Sequence, residues 1–446
     1  MVTVMIVIFV LGYLMIASEH VLRINKATFA LLMCGLLWAT YSLGSHNQDL
    51  SYKLIEALGD TCEVVVFLIG AMTIVELIDR YDGFSYITRR IKARNKRKLM
   101  WVIAFISFFM SAILDNMTTT IIMVMMLRRM ISNNRERWKY AGVIIISANS
   151  GGVWSPIGAV TTIMLWMKNG VTSLNLIGYL IVPCIVSVVI PVLIASRCVK
   201  DAPLEELNDN DKRVGESLSD SHPLISKSIL ISGVLSLLFV PVFKSITHLP
   251  PYMGILISLG VMWLITEIIV NKCDLDKKMD GRISSALRRI DMSTILFFLG
   301  ILLAVNALQQ AHLLSNLAHW LDNTIHEPYT INGIIGVLSS IVDNVPLVAA
   351  CMNMYPVSTE AIIQAAADPV YAQYFIQDGL FWHLLTFCAG VGGSIMIIGS
   401  AAGVVAMGIE KISFMWYFKR FSIMAFLGYI AGIATIWLEA WLVIEF

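Results

Sequence analysis

Apolar runs long enough to cross a bilayer recur along almost the whole of this chain and leave little room for a soluble domain. Of its 446 residues, 57% are hydrophobic and 14% are charged, whereas about 25% of a typical soluble domain is charged. A helix needs about 20 apolar residues to cross the hydrocarbon core. The sequence therefore predicts an all-α polytopic membrane protein that has the lipid bilayer as its solvent. Uninterrupted spans are expected at 2–18, 27–44, 60–79, 174–196, 228–243, 252–270, 291–309 and 414–438.

The first apolar run and the cysteines exclude some other classes of protein. No basic segment precedes the run from Val2 to Ala17, and no small-residue cleavage site follows it, so we expect a retained span rather than a signal peptide. The seven cysteines include neither a Cys-x-x-Cys pair nor a Cys/His metal spacing. With 32 basic and 31 acidic residues, no nucleic-acid partner is expected. No cofactor is expected either.

Four further apolar segments are interrupted by polar residues or glycines. Irregular backbone at membrane depth is tolerated only where it is enclosed by protein or lines a cavity, so we expect the interruptions to surround an internal site. The segments are 99–127, interrupted by Asp115-Asn116; 140–167, by Asn149-Ser150-Gly151-Gly152; 330–354, by Asp343-Asn344; and 380–407, by the stretch from Gly390 through Gly392 and Gly393 to Ser394.

The distribution of basic residues predicts how the chain threads through the membrane. Segment 99–127 has clusters of lysine and arginine before and after it, and such clusters stay in the cytoplasm. It is therefore predicted to be a re-entrant hairpin with both ends in the cytoplasm. Segment 330–354 lies in a stretch without lysine or arginine, 311–382, so its hairpin should enter from outside. This threading places the N-terminus outside and leaves three external lysines, Lys53, Lys168 and Lys244.

The two halves of the chain match each other. The Asp115-Asn116 pair recurs as Asp343-Asn344, at an offset of 228, and Gly151-Gly152 recurs as Gly392-Gly393, at an offset of 241. Each half then has three spans, a re-entrant hairpin, a broken span and a final span. Because this is an odd number of crossings, the second half must be inverted relative to the first, as in many secondary transporters. We expect a first inverted repeat at 1–196, a cytoplasmic linker at 197–227 and a second inverted repeat at 228–446.

Asp115 and Asp343 are the carboxylates predicted to lie near the bilayer midplane. A charge at this depth costs about 2.5–3.5 kcal/mol on insertion scales, and ionisable residues there commonly mark ion pathways. The duplication of the pair favours an ion-binding role. The structural alternative is that each aspartate only caps a helix of its hairpin.

Side chains with oxygen atoms accompany both aspartates, and hard cations such as sodium prefer oxygen ligands. The expected ion-binding residues are Asp115, Asn116, Thr118, Thr119, Ser147, Asn149, Ser150, Thr161, Thr162, Asp343, Asn344 and Ser394, with sodium itself at Asp115, Asn116, Asn149, Asp343 and Asn344. The helices are expected to break at Gly151, Gly152, Gly390, Gly392 and Gly393. Two alternatives remain: the glycines only permit close helix packing, and the threonines only bond to their own helix backbone.

Five segments resemble the NhaD family of sodium/proton antiporters, inverted-repeat carriers of the ion transporter superfamily. They are FLIGAMTIVELID at 67–79, LDNMTTT at 114–120, NSGGVWSPIGAVTTIMLW at 149–166, SSIVDNVPLVAA at 339–350 and GGSIMIIGSAAG at 392–403. The resemblance implies exchange of sodium or lithium for protons across a bacterial cytoplasmic (inner) membrane. It attaches function to Asp115, Asn116, Asn149, Thr161, Thr162, Asp343, Asn344 and Ser394. In one departure, Ala159 stands where the family usually has aspartate.

Two other functions are compatible with parts of this pattern. The same architecture serves sodium-coupled uptake of carboxylates or oxyanions, but the substrate anion would need a cationic contact, and no lysine or arginine is expected at midplane depth. An intramembrane aspartyl protease would use the two aspartates as a dyad, but the chain has no Gly-x-Gly-Asp motif. We therefore expect a transporter and not an enzyme. The sequence leaves a homodimer open.

Overall fold

The computed structural model describes residues 1–18, 22, 24–44, 50–84, 95–131, 133–199, 223–273, 286–341, 343–366 and 368–444. Within these ranges every secondary-structure element is a helix. In chain order the helices are α1 (Val2–Ala17), α2 (Lys26–Gly44), α3 (Leu50–Arg80), α4 (Lys96–Leu114), α5 (Asn116–Met130), α6 (Asn134–Val153), α7 (Val160–Met167), α8 (Ser173–Arg197), α9 (Pro223–Thr247), α10 (Pro251–Cys273), α11 (Met292–Gln310), α12 (Leu313–Thr324), α13 (Pro328–Ser339), α14 (Asn344–Met354), α15 (Glu360–Ala365), α16 (Pro369–Gln373), α17 (Leu380–Gly392), α18 (Ala401–Glu410), α19 (Phe414–Tyr417) and α20 (Ile423–Ile444), with a π-helical turn, Phe418–Ser422, joining the last two.

Eight helical stretches of the described chain are long and apolar enough to cross a membrane, which confirms an all-α polytopic membrane protein. They are Lys26–Gly44, Leu50–Arg80, Lys96–Leu114, Ser173–Arg197, Leu224–Thr247, Pro251–Asn271, Met292–Gln310 and Phe414–Leu442. Seven of them coincide with expected spans. The other is α4, which the sequence assigns to the first hairpin and whose first three residues are basic. Helix α1 has 16 residues and is shorter than an average span.

Both expected hairpins are pairs of helices that part at an Asp-Asn pair. Helix α4 ends at Leu114 and α5 begins at Asn116, so a single residue, Asp115, makes the turn, with φ 96° and ψ 160°. These angles lie outside the left-handed helical region that aspartate tolerates and in a region that is almost exclusive to glycine, so the backbone at Asp115 is strained. In the second hairpin α13 ends at Ser339 and α14 begins at Asn344, with Asp343 at its N-cap. The side of the membrane from which each hairpin enters stays a prediction.

The two broken helices do not break where the sequence analysis expected. Helix α6 continues through Gly151 and Gly152 to Val153, and α17 continues through Gly390 to Gly392. The irregular connections are 154–159 and 393–400, so of the five glycines only Gly393 lies in a connection. The expected break positions at the other four were therefore wrong.

Close packing is the physical reason why two of these glycines are needed inside helices. A Cβ atom on Gly151 would lie 2.1 Å from the carbonyl oxygen of Phe108 in α4, and one on Gly392 would lie 2.1 Å from that of Gly336 in α13. No side chain fits at such a distance. Each glycine therefore lets a broken helix touch the backbone of the adjacent hairpin, which is the packing alternative.

Helix pairs with one helix from each half join the halves of the chain. Helix α2 packs against α11, and α3 packs against α10. The Trp38 indole of α2 donates to the Leu303 carbonyl of α11 at 2.9 Å, and a Cβ on Gly300 would lie 2.8 Å from the backbone of Ala30. In the other pair a Cβ on Gly70 would lie 2.9 Å from the Ile255 side chain. Most of the expected linker, residues 200–222, lies outside the described residues.

Ion pairs to the buried carboxylate of Glu410 hold the end of α18 against the first hairpin and α6. Both Glu410 carboxylate oxygens accept hydrogen bonds, from Arg128 Nε at 2.7 Å and from Arg137 Nε at 2.9 Å. The Trp138 indole donates to the Glu410 carbonyl at 3.0 Å. Glu410 is fully buried and Arg137 is 10% exposed, whereas Arg128 is 43% exposed. Removing one partner of a buried ion pair typically costs about 3–5 kcal/mol, so the Arg137–Glu410 pair fixes α18 relative to α6.

Candidate ion-binding site

Asn149 connects the first hairpin tip to the second broken helix. It lies near the end of α6 and is 1% exposed. Its side-chain oxygen accepts a hydrogen bond from Asn116 Nδ2 at 2.8 Å, and its Nδ2 donates to Ser394 Oγ at 2.9 Å and to Ser400 Oγ at 2.8 Å. The structure therefore brings together three expected site residues, Asn116, Asn149 and Ser394, that are far apart in sequence.

The connection between α17 and α18 is held at both of its ends. The Ser394 carbonyl accepts a hydrogen bond from the Tyr417 hydroxyl at 2.7 Å. Ser400 caps α18, its Oγ accepting from the Gly403 amide at 3.2 Å. Ser400 is not among the site residues expected from the sequence. The repeat offers a signal for it, because Ser400 lies at the offset of 241 from Ala159, the position where the resemblance implies an aspartate.

Asp343, at the tip of the second hairpin, forms an ion pair that the sequence analysis did not foresee. Its Oδ2 lies 2.6 Å from the Lys26 ammonium, and the two side chains are 15% and 22% exposed. Its Oδ1 accepts a long hydrogen bond, 3.4 Å, from the Val345 amide. The same ammonium lies 4.2 Å from the centre of the Phe297 ring, close enough for a cation–π contact.

This ion pair corrects the expectation that no lysine or arginine lies at the depth of the hairpin tips. Lys26 is the first residue of α2, which from sequence alone is the edge of a span. Its flexible stem of four methylene groups lets the charged end reach inward. A lysine at a helix start gives no sequence signal of such a contact, because its partner is 317 residues away.

Asp115, the aspartate of the first hairpin tip, is bound by its own helix. Its Oδ1 accepts from the Thr118 amide and its Oδ2 from the Thr118 hydroxyl, both at 2.8 Å. These are the contacts of a helix N-cap, so the geometry at Asp115 is that of the structural alternative. The two aspartates therefore differ: Asp115 bonds within its hairpin, whereas Asp343 bonds to another helix.

A cavity of about 170 Å³ lies where the two hairpin tips meet. Asn116 from the first tip and Asp343 and Asn344 from the second line it, together with Lys26 and Ala159. With Asp291 and Asn25 the lining contains two carboxylates and three carboxamides, which can supply oxygen ligands to a hard cation. Ala159, which replaces the usual aspartate of the family, faces the same space and contributes no ligand.

Five helices begin at this cavity. Its lining includes Lys26, the first residue of α2, and the first residues of the other four helices, α5, α7, α14 and α18, which are Asn116, Val160, Asn344 and Ala401. A helix N-terminus carries a partial positive charge. This charge stabilises an ionised carboxylate such as Asp343 and lowers the cost of holding it at this depth.

Four hydroxyl groups among the expected site residues are buried without a hydrogen-bond partner in the described part of the chain. They belong to Thr119, Ser147, Thr161 and Thr162, each 0% exposed. The alternative that the threonines bond to their own helix does not hold for them, whereas Thr120 does bond in this way, to the Asn116 carbonyl at 2.8 Å. An unsatisfied buried hydroxyl costs about 1–3 kcal/mol, so these groups can gain from an ion or a water molecule.

Ser150 points away from the hairpin tips. Its Oγ accepts a hydrogen bond from Ser187 Oγ of α8 at 3.0 Å. Although Ser150 follows Asn149 directly, consecutive residues of a helix face different directions. Its contact is therefore one between helices.

A second, larger cavity of about 370 Å³ lies at the opposite end of α11. Its lining includes two carboxylates, Asp60 and Glu63, and two carboxamides, Asn306 and Asn353. Lys168 also lines it and pairs with Asp60. Helices α11 and α14 contribute residues to both cavities, so each of these two helices extends from one cavity to the other.

A family model and several known proteins similar to this chain are all described as transporters or antiporters. A family model described as "Citrate transporter" (CitMHS) matches residues 4–375. "Sodium/proton antiporter 2" of Arabidopsis thaliana is 42% identical over 431 residues, which cover 97% of this chain and 98% of the relative. "Sodium/proton antiporter 1" of the same plant is also 42% identical, over 97% of this chain and 71% of its own length. The "Na(+)/H(+) antiporter NhaD" of Alkalimonas amylolytica is 28% identical over 98% of this chain and 90% of the relative. The chain belongs to the CitMHS family of transporters and, within it, to the sodium/proton antiporters of the NhaD type.

Proposed function

We propose that this protein exchanges sodium ions for protons across its membrane, with Asp343 at the centre of the ion site. The observation that carries the proposal is the cavity at the hairpin tips, which is lined by Asp343 together with Asn116 and Asn344. The names of the relatives agree with it, since three of them are sodium/proton antiporters. Lithium, a smaller hard cation, suits the same oxygen ligands.

Exchange follows from competition for one carboxylate. Asp343 can bind a sodium ion or a proton but not both, so the ion that arrives displaces the ion that was carried. Asn116 and Asn344 supply neutral oxygens for sodium, and the buried hydroxyls of Thr161 and Thr162 are further candidate ligands. Asp115 positions the first tip by capping α5 through Thr118.

Movement of the hairpins would expose the site to each side in turn. The two cavities at opposite ends of α11 support this part of the proposal, because either could become the path to the ion site. The moving unit would contain the hairpins and the broken helices. The scaffold would contain α2, α3, α10 and α11, as in other inverted-repeat carriers.

The proposal includes two inverted repeats, 1–196 and 228–446, joined by a linker at 197–227. Matching hydrogen bonds support it. Ser111 Oγ donates to the Ala148 carbonyl at 2.5 Å, and Ser339 Oγ donates to the Ala389 carbonyl at 2.7 Å. The donors are separated by the offset of 228 and the acceptors by that of 241, as the sequence match requires.

The proposal further places the protein in the cytoplasmic membrane of a bacterium with its N-terminus outside, because the basic loops then lie inside. A homodimer is compatible with this arrangement. The protein acts as a carrier and not as an enzyme: Asp343 pairs with Lys26 and Asp115 with Thr118, whereas a protease dyad needs two aspartates that share a proton.

A second candidate function is sodium-coupled transport of a carboxylate. The observation in its favour is that Lys26 and five helix N-termini face the tip cavity, where they could attract an anion. The family model's description, "Citrate transporter", agrees with it. The contact of Lys26 with Asp343 leaves less positive charge for such a substrate, so we favour exchange.

Reconstitution into proteoliposomes tests both functions. A sodium gradient applied to vesicles containing the purified protein should drive proton movement, recorded with a pH-sensitive dye, without any added carboxylate. Proton movement that required citrate or a dicarboxylate would favour the second function. No proton movement with sodium or lithium under any condition would contradict the exchanger.

A further inference from the structure

Lys26 lies at a position that disfavours a positively charged side chain. It is the first residue of α2, and the partial positive charge of a helix N-terminus disfavours a cation there. It is also 22% exposed, so part of its hydration is lost. The contacts with Asp343 and the Phe297 ring compensate for both losses.

We propose that the Lys26 ammonium is a built-in competitor that occupies Asp343 whenever neither sodium nor a proton does. The observation is geometric: a monovalent cation of the protein itself lies 2.6 Å from the carboxylate oxygen that faces the tip cavity. Two cations cannot share this oxygen at close range without strong repulsion. Sodium must therefore displace the ammonium, and protonation of Asp343 removes the charge that holds it.

This competition explains how exchange stays coupled. Lys26 belongs to α2, which packs against α11, whereas Asp343 belongs to the second hairpin. The ion pair therefore ties the hairpin tip to the proposed scaffold while the site holds no transported ion. Sodium or a proton breaks the tie and frees the tip to move. The tip therefore does not move while the site is empty. Movement of an empty site would let sodium flow without protons.

Besides Lys26 and Asp343, one further charged residue of the described chain lines the tip cavity. Asp291 lines the same space, but it caps α11: its carboxylate accepts from the Ser293 amide at 3.1 Å and from the Thr294 hydroxyl at 2.6 Å. Lys26 is the lysine that touches Asp343. Its charge is therefore what the experiment has to remove.

The inference rests on the proposed exchange of sodium for protons, so its test combines binding with transport. Lys26→Met keeps the stem next to Phe297 and removes the charge, whereas Lys26→Arg keeps a charge. Lys98→Gln is the matched control, because Lys98 is an exposed lysine in the first turn of α4. Sodium binding is measured by titration calorimetry on the purified full chain, and sodium moved per proton is measured in proteoliposomes with radioactive sodium and a pH dye.

Lys26→Met should bind sodium roughly tenfold more tightly, because the ion no longer displaces a partly buried ammonium. It should also move severalfold more sodium per proton than the parent protein. Lys26→Arg and Lys98→Gln should resemble the parent in both measurements. If Lys26→Met did not fold, Lys26→Gln would be measured in its place.

Unchanged or weaker sodium binding in a folded, uncharged Lys26 variant would overturn the inference, as would tenfold tighter binding in Lys26→Arg. Failure of the proposed function looks different. In that case the parent protein itself would move no protons in response to sodium, while the calorimetric comparison of the variants would still decide whether Lys26 competes for Asp343.

Discussion

At the scale of single residues, the two aspartates of the hairpin tips occupy different environments. Asp115 directs both carboxylate oxygens to Thr118 in its own hairpin. Asp343 faces a cavity and a lysine from another helix. Equal positions in the two halves therefore carry different contacts, and we expect them to contribute differently to transport.

Replacement of Asp343 by Asn should abolish exchange, because the carboxamide is similar in volume but can neither carry a proton nor neutralise sodium. Asp115→Asn should lower the rate less, since asparagine is as good an N-cap as aspartate and has nearly the same volume. Rates in proteoliposomes, with equal amounts of folded protein, test the difference. Parental exchange by Asp343→Asn would contradict the proposed site.

The acidity of the medium should change sodium affinity if protons and sodium compete for Asp343. Each fall of one pH unit raises the proton concentration tenfold, so sodium that competes with one proton for the same oxygen should lose up to about tenfold in apparent affinity per pH unit. The measurement is the sodium concentration for half-maximal exchange across a pH series. A value independent of pH over the active range would mean separate sites.

At the scale of helices, glycines inside α6 and α17 let these helices lie directly on the hairpins. The helices remain regular through most of the glycines and end after them. Unwinding therefore begins later than the glycine clusters suggest. The close contact is what brings Asn149 within reach of Asn116.

Gly151→Ala should destabilise the protein by about 1–3 kcal/mol, because the added methyl group overlaps the Phe108 carbonyl and forces the helices apart. Gly178→Ala in α8 is the control, since a Cβ at Gly178 meets nothing within 4 Å. Thermal unfolding in detergent compares the two variants. Equal midpoints would show that the contact at Gly151 is not needed.

At the scale of the whole molecule, the proposed inversion makes a prediction about sidedness. The connection between α5 and α6 should be cytoplasmic and the α15 helix external, since basic residues flank the first on both sides and the second lies in a stretch without them. Single cysteines can be placed at Arg135 and Gln364, both exposed, in a chain freed of its own cysteines.

A membrane-impermeant thiol reagent should label the cysteine at Gln364 in intact cells and the one at Arg135 only in inside-out vesicles. The opposite orientation of both sites would keep the inversion but reverse the whole threading. Labelling of both cysteines from the same side would contradict the inverted repeats.

Much of the fold could be predicted because its signals are local. The lengths of apolar runs decide where helices can span a bilayer, and Asp115 and Asp343 interrupt their segments in the structure as they do in the sequence. The glycine clusters were misread, because a glycine that breaks a helix and a glycine that admits a neighbouring backbone look the same in sequence. Only the position of the facing helix distinguishes them.

An all-α membrane protein with two Asp-Asn hairpins could be predicted without a structure, because hydrophobic length and helix breaking depend on neighbouring residues. Which side chains meet could not be predicted and depends on the packing of the helices. This packing joins Asn149 to Ser394 and Ser400, and Lys26 to Asp343. These contacts bridge hundreds of residues and depend on how the helices pack and where flexible side chains end, and no local pattern encodes either.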